Sequence, residues 1–153
     1  MFERKDSEEI KKLIVQGRVF VYPTDTIYGL GCDATNKKSV ERIRQIKNRE
    51  VKPFSVIAPS KEWILDNCEV KKEDLECLPG PYTLILKLRR GCVAENVNLE
   101  METLGVRIPN HWFSGLVGET GIPVVTTSVN ISGREHMTSI DNIDKNIEKE
   151  VDF

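Results

Sequence analysis

The stretch Val21-Tyr-Pro-Thr-Asp-Thr-Ile-Tyr-Gly-Leu-Gly31 decides how this chain is read. Val19-Phe-Val-Tyr22 leads into it as a short apolar strand, and Pro23 ends that strand. Thr24, Asp25 and Thr26 then place a carboxylate between two hydroxyls. Ile27–Ala34 goes extended again, kinked by glycines. A chain that only had to turn would use fewer polar groups. The pattern therefore predicts two strands joined by a loop that holds something.

Outward from this stretch, strands and helices alternate. Asp6 or Ser7 is placed to cap a first helix, with Glu9 completing a capping box. Ile10, Leu13 and Ile14 give it an apolar stripe, and Gly17 ends it. Ser39–Lys47 is predicted helical, with Val40, Ile43 and Ile46 on one side and Arg42, Arg44 and Lys47 elsewhere. Phe54–Ala58, Tyr82–Leu88, Gly105–Ile108 and Ile122–Thr127 read as strands. Short helices are predicted around Trp63–Leu65, Leu75–Leu78 and His111–Val117. Pro79-Gly-Pro81 is a hard stop. This mixture predicts an α/β fold with a twisted, open, mixed sheet flanked by helices.

At 153 residues the chain is expected to form a single domain, with a core over about 8–137 and a charged tail over 138–153. Charged residues make up 30% of it, but the net charge is only −2, so overall charge selects no partner. The four cysteines form no Cys-x-x-Cys pair and have no histidine at ligand spacing, which reads as reduced thiols. The polar N-terminus has no apolar signal region, and no apolar run reaches bilayer length. A cytoplasmic protein is the expectation, with no membrane association.

Three constellations carry potential chemistry. The run Lys37, Lys38, Arg42, Arg44, Lys47, Arg49 and Lys52 is opposed only by Glu41 and Glu50. Such a run is ordinarily a solvated helix face. Here Lys47, Arg49 and Lys52 fall where helix gives way to loop, a place where cations can converge on polyphosphate oxygens. Thr126-Thr-Ser-Val-Asn-Ile-Ser-Gly133 follows a buried strand. It is either a hydrogen-bonded turn or a ligand site at a strand's carboxyl end. In Thr103-Leu-Gly-Val-Arg-Ile-Pro-Asn-His111, Arg107 lies inside an apolar strand. It either faces solvent or is buried with a partner, since an isolated buried charge is too costly. His111 reads as a helix-start residue. Gly29-Leu-Gly-Cys-Asp-Ala34 fits a dinucleotide fingerprint formally, but no apolar helix follows it. A P-loop, a nucleophile elbow and a metal-ligand cluster are all missing from the sequence. The set that remains suits orienting a nucleotide and a small polar substrate.

Taken in order, these segments resemble the YrdC/Sua5 family. They are Tyr-Pro-Thr-Asp-Thr-Ile-Tyr-Gly-Leu-Gly31, Lys47-Asn-Arg49 with Lys52-Pro53, Pro79-Gly-Pro-Tyr-Thr83, Val106-Arg-Ile-Pro-Asn-His111 and Ser128-Val-Asn-Ile-Ser-Gly133. Five motifs in the family's order are far more specific than any one of them. The resemblance implies a threonylcarbamoyl-AMP synthase, a nucleotidyltransferase. Threonine, bicarbonate or CO2, and ATP would give threonylcarbamoyl-adenylate and pyrophosphate. That product would serve a downstream threonylcarbamoyl transferase complex acting on tRNA adenosine 37. By motif position, Thr26, Arg107 and Thr126 would contact threonine. Lys47 and Arg49 would be the catalytic cations. Together with Lys52, Thr103, Ser128, Asn130 and His136 they would hold ATP, and Mg2+ would arrive with ATP rather than on protein ligands.

Two features depart from the family pattern. Ile57 stands near the place where the family often has a histidine. The Ser-Thr-(Val/Ile) segment and Arg-x-Gly turn that usually follow the Ser-x-Asn motif are not in this sequence. The resemblance then implies a site open on one side, closed by another chain, or without full activity. An alternative is a catalytically weak module that binds nucleotide, double-stranded RNA or tRNA through the Lys37–Lys52 surface. A carbamoyl-phosphate-handling domain like those of hydrogenase-maturation proteins ranks last.

Overall fold

A computed structural model describes residues 6–22, 28–47, 52–128 and 151. Its elements run in the order α1 (Ser7–Val15), β1 (Phe20–Tyr22), β2 (Gly29–Gly31), α2 (Lys37–Lys47), β3 (Ser55–Ile57), α3 (Lys61–Asn67), β4 (Cys68–Glu69), a 3-10 turn (Lys72–Leu75), β5 (Leu84–Leu88), α4 (Glu95–Asn98), β6 (Thr103–Arg107), α5 (Trp112–Thr120) and β7 (Val124–Ser128). The strands form one sheet in the order β1-β2-β7-β3-β6-β5-β4. β3 and β6 pair in parallel and every other pairing is antiparallel. The sheet is therefore open and mixed, as the sequence predicts.

The pleat sorts the core into two layers. Val19, Val21, Leu30, Val56 and Val125 turn to one face, where Val40 and Ile43 of α2 and Ile64 of α3 meet them. Phe20, Tyr22, Ile57 and Val124 turn to the other, under Ile10 and Ile14 of α1 and Phe113, Leu116 and Val117 of α5. Burial on both faces explains why β1, the end of β3 and the start of β7 read as unbroken apolar runs. β5 differs. Leu84, Leu86 and Leu88 pack on the first layer, while Ile85 and Lys87 on its other face are exposed. On the α1/α5 face, the helical cover thus ends before the sheet does.

Local chemistry sets the element ends. Gly17, at φ 75°, ends α1 in a Schellman motif, with Gly17 N donating to Ile14 O and Arg18 N to Leu13 O. The predicted capping box at its start does not form: Asp6 makes no side-chain cap. Ser60 caps α3, its hydroxyl accepting from Trp63 N at 3.0 Å. The helix expected at Leu75–Leu78 is instead the 3-10 turn Lys72–Leu75. Its bonds, and those that follow it, reach back three residues, and Pro79 disfavours helical geometry at Leu78. The sequence reading missed β4 and α4. Both are very short and are held by distant backbone partners, such as Arg89 N to Asn67 O and Ala94 N to Ala34 O.

Candidate active site

Where α1 and α5 stop covering the sheet, a cavity of about 140 Å³ opens, lined by Tyr28, Gly29, Ser55, Thr83, Arg107, Thr126, Thr127 and Ser128. The strand register assembles it. Thr126 of β7 pairs with Ser55 of β3, and Ser55 pairs with Gly105 of β6. These residues lie in one row across the sheet. Arg107 is two residues beyond Gly105 and Ser128 two beyond Thr126, so both share that face. Gly105 keeps the floor flat, since a Cβ there would collide with Ser55 Oγ. The volume suits a small polar molecule.

The lining is a cation beside a set of hydroxyls. Arg107 presents a guanidinium, half-buried in the wall, and a planar fork of this kind matches a carboxylate. Ser55, Thr126 and Ser128, on the same sheet face, offer hydroxyls, and Thr83 and Thr127 complete the polar lining. Beneath the wall lies Tyr22, fully buried and stacked on Phe113 with ring centroids 4.6 Å apart. Burial pushes its phenol well above the ordinary tyrosine range, against smaller opposing effects of a Thr126 hydrogen bond and the Arg107 charge. The phenol stays neutral at physiological pH.

The basic segment is used differently from the sequence reading. The sequence places Arg44 and Lys47 away from the apolar side of α2, but both are buried. Val40, Ile43, Arg44 and Lys47 follow the i, i+3, i+4, i+7 spacing of a single helix face. Arg44 is a strut. It donates to Asn96 O from Nε (2.8 Å) and Nη2 (2.6 Å), to Val97 O (3.0 Å) and to Lys52 O (2.8 Å). Its guanidinium lies 4.3 Å from the centroid of the Phe54 ring. Lys47 reaches the cavity rim, where Nζ donates to Ser128 O at 2.6 Å and Ser128 Oγ at 3.2 Å. It sits in the last turn of α2, where the helix dipole favours a cation. Lys37 pairs with Glu95 on α4. Among the described residues of the Lys37–Lys52 surface, Arg44 and Lys47 are thus withdrawn from solvent, while Lys37, Lys38 and Lys52 remain exposed.

The structure brings Arg107, Thr126, Ser128 and Lys47 to one place. Thr103 does not line the cavity. It lies two residues before Gly105 on the same face of β6, toward the Ser128 end of the row, and its carbonyl accepts from Asn98 Nδ2 at 3.0 Å. Lys52 lies beyond the cavity lining, with its carbonyl held by Arg44. Thr26, Arg49, Asn130 and His136 fall outside the described residues, as does the charged tail apart from Val151. His111 is the N-cap of α5, its Nδ1 accepting from Phe113 N at 3.3 Å, in line with its reading as a helix-start residue. Among the cavity residues, Ser55 was missed. Its signal was one hydroxyl inside the apolar run Phe54–Ala58. Among the described residues no group of acidic, histidine or cysteine side chains could hold a metal ion, and no helix is long and apolar enough to cross a membrane.

An open mixed sheet with a cation-and-hydroxyl cavity at the end of β7 defines the class: an α/β protein with a small polar cavity beside the sheet. The chain belongs to the Sua5/YciO/YrdC family, whose model, described as "Telomere recombination", matches residues 12–153. A relative from Methanocaldococcus jannaschii is 38% identical over 156 residues, covering 98% of this chain and 72% of that protein. The threonylcarbamoyl-AMP synthase of Marinobacter nauticus is 34% identical over 137 residues, covering 85% of this chain and 72% of that enzyme. A crystal structure of P. abyssi Sua5 complexed with L-threonine superposes with a TM-score of 0.85 at 26% identity, covering 99% of this chain and 46% of that one. The chain thus spans about half the length of that solved Sua5.

Proposed function

We propose that the chain is a threonylcarbamoyl-AMP synthase built as a single YrdC-like domain and working in the cytoplasm. The observation that carries this reading is the meeting of two walls at Ser128. On one side lies the Arg107–Thr126 cavity, sized for a small amino acid. On the other, Lys47 ties the end of the basic helix to the rim. An amino acid in the first wall and a nucleotide along the second would present their reacting groups to each other.

In this reading Arg107 takes the threonine carboxylate, and Thr126 and Thr26 contact the rest of the molecule. The threonine nitrogen bonds to CO2 and loses a proton, giving a carbamate. A carbamate oxygen then bonds to the α-phosphorus of ATP as the α–β bridging P–O bond breaks. Threonylcarbamoyl-adenylate and pyrophosphate result, and the adenylate is passed to a threonylcarbamoyl transferase complex for tRNA adenosine 37. No protein nucleophile is required. Mg2+ enters with ATP as part of the substrate. Lys47, Arg49 and Lys52 offset the charge of the departing pyrophosphate, with Ser128, Asn130 and His136 around the nucleotide. Thr103, on the Ser128 side of the sheet row, completes the proposed ATP contacts.

The test is pyrophosphate release from MgATP in the presence of bicarbonate, with and without threonine. Release that requires threonine is the expected outcome. Release independent of threonine, or none, overturns the synthase reading. No release together with salt-sensitive binding of double-stranded RNA would favour the binding-module alternative.

A further inference from the structure

Tyr22 lies outside the cavity lining, yet the segment around it is shaped by its ring. A Cβ on Gly29 would lie 2.5 Å from the phenol carbon of Tyr22, and a Cβ on Gly31 would lie 2.6 Å from another ring carbon. Side chains at either position would evict the ring. The glycines of the Gly29-Leu-Gly31 strand therefore let Tyr22 pass beneath β2 and deliver its hydroxyl to β7. There the O–H points to Val125 O at 3.4 Å, and the oxygen is within hydrogen-bonding reach of the Thr126 side chain. The phenol has one proton. With that proton directed at Val125, the phenol's lone pairs are open to the Thr126 hydroxyl.

The consequence falls on the cavity. A threonine hydroxyl has one proton and two lone pairs. If the proton is used on Tyr22, the lone pairs remain for the cavity, and Thr126 becomes an acceptor there. We propose that Tyr22 is a positioning residue, which holds Thr126 as a hydrogen-bond acceptor opposite the Arg107 cation. The cavity then takes a small ligand with a carboxylate at one end and an N–H or O–H donor at the other. An isosteric ligand without that donor leaves Thr126 unsatisfied in a half-buried wall. This inference rests on the synthase reading for the identity of the ligand, threonine.

Tyr22→Phe keeps the ring and its stack on Phe113 and removes only the oxygen. Threonine is titrated in the pyrophosphate assay at saturating MgATP, and thermal unfolding is followed alongside. Tyr22→Phe is expected to raise the threonine KM about tenfold, the size of one hydrogen bond. The ATP KM should stay near wild type, and unfolding should remain cooperative. Thr126→Val, which removes the acceptor itself, should lose at least as much, and the double variant no more than Thr126→Val alone, because Tyr22 acts through Thr126. Thr126→Ser, which keeps the hydroxyl, should restore most of the affinity. An unchanged threonine KM in Tyr22→Phe, or full additivity in the double variant, overturns the inference and leaves the synthase reading intact. A wild-type protein that shows no threonine dependence overturns both.

Discussion

Two halves of one sheet face behave in opposite ways. Beneath α1 and α5, Phe20, Tyr22, Ile57 and Val124 form a dry, partly aromatic layer with Phe113. One pleat repeat further along the same strands, Ile57 gives way to Ser55 on β3 and Val124 to Thr126 on β7. On β6, Gly105 lies level with Ser55, and Arg107, level with Ile57, borders the open region and lines the cavity. Strand direction, pairing and face do not change between the halves. Only the helical cover and the side chains do. The cavity thus comes from ending a hydrophobic layer early and lining the vacated sheet with hydroxyls and one cation. Tyr22 belongs to both halves, with its ring in the dry layer and its oxygen under the wet wall.

Removing a keystone of the covered half should have the largest effect. Phe113→Ala deletes a ring that packs on Phe20 and Tyr22 and is 1% exposed. A loss of about 3–5 kcal/mol in denaturant unfolding is expected. A loss near zero would mean that the covered half is not what holds the fold.

Arg107→Ala tests the open half. Loss of a charge-assisted contact of about 1.5–3 kcal/mol should raise the threonine requirement roughly ten- to a hundredfold. Its unfolding midpoint should move less than that of Phe113→Ala. An unchanged threonine dependence would remove Arg107 as the carboxylate clamp.

The seam between the halves has a pH signature. Burial raises the Tyr22 pKa in the folded state. Its contribution to stability is therefore fully present below the unfolded value near 10 and is lost as pH rises above it. Unfolding free energy followed from pH 9 upward should fall more steeply in wild type than in Tyr22→Phe. Equal slopes would show that the phenol is not buried as described.

The smallest effect is expected at Ile85, which is 68% exposed on the open part of the face. Ile85→Ser should change stability by less than about 0.5 kcal/mol. A loss of several kcal/mol would show that another element covers this half.

Much of this architecture was legible in the sequence because it is local. The apolar stripe of Ile10, Leu13 and Ile14, and the apolar runs around Phe20, Val56 and Val125, follow from helical and pleated periodicity. The open mixed sheet followed from their order. Arg44 and Lys47 show where such reading went astray. Their spacing from Val40 and Ile43 marked the buried face, but charge argued for solvent. The partners that allow burial, the carbonyls of Asn96, Val97 and Ser128, lie far along the chain. β4 and α4 were missed for the same reason: such short segments carry little pattern, and distant partners fix them.

The sequence by itself determined the family, the periodic elements and the residue types available for a site, because motifs and hydrophobic period are properties of neighbouring residues. Tertiary structure decided which of those residues meet. It put Ser55 beside Thr126, Arg107 on the same face as Ser128, Lys47 on the rim and Thr103 outside the cavity lining. Strand register and helix cover set those distances, and both come from packing between segments tens of residues apart.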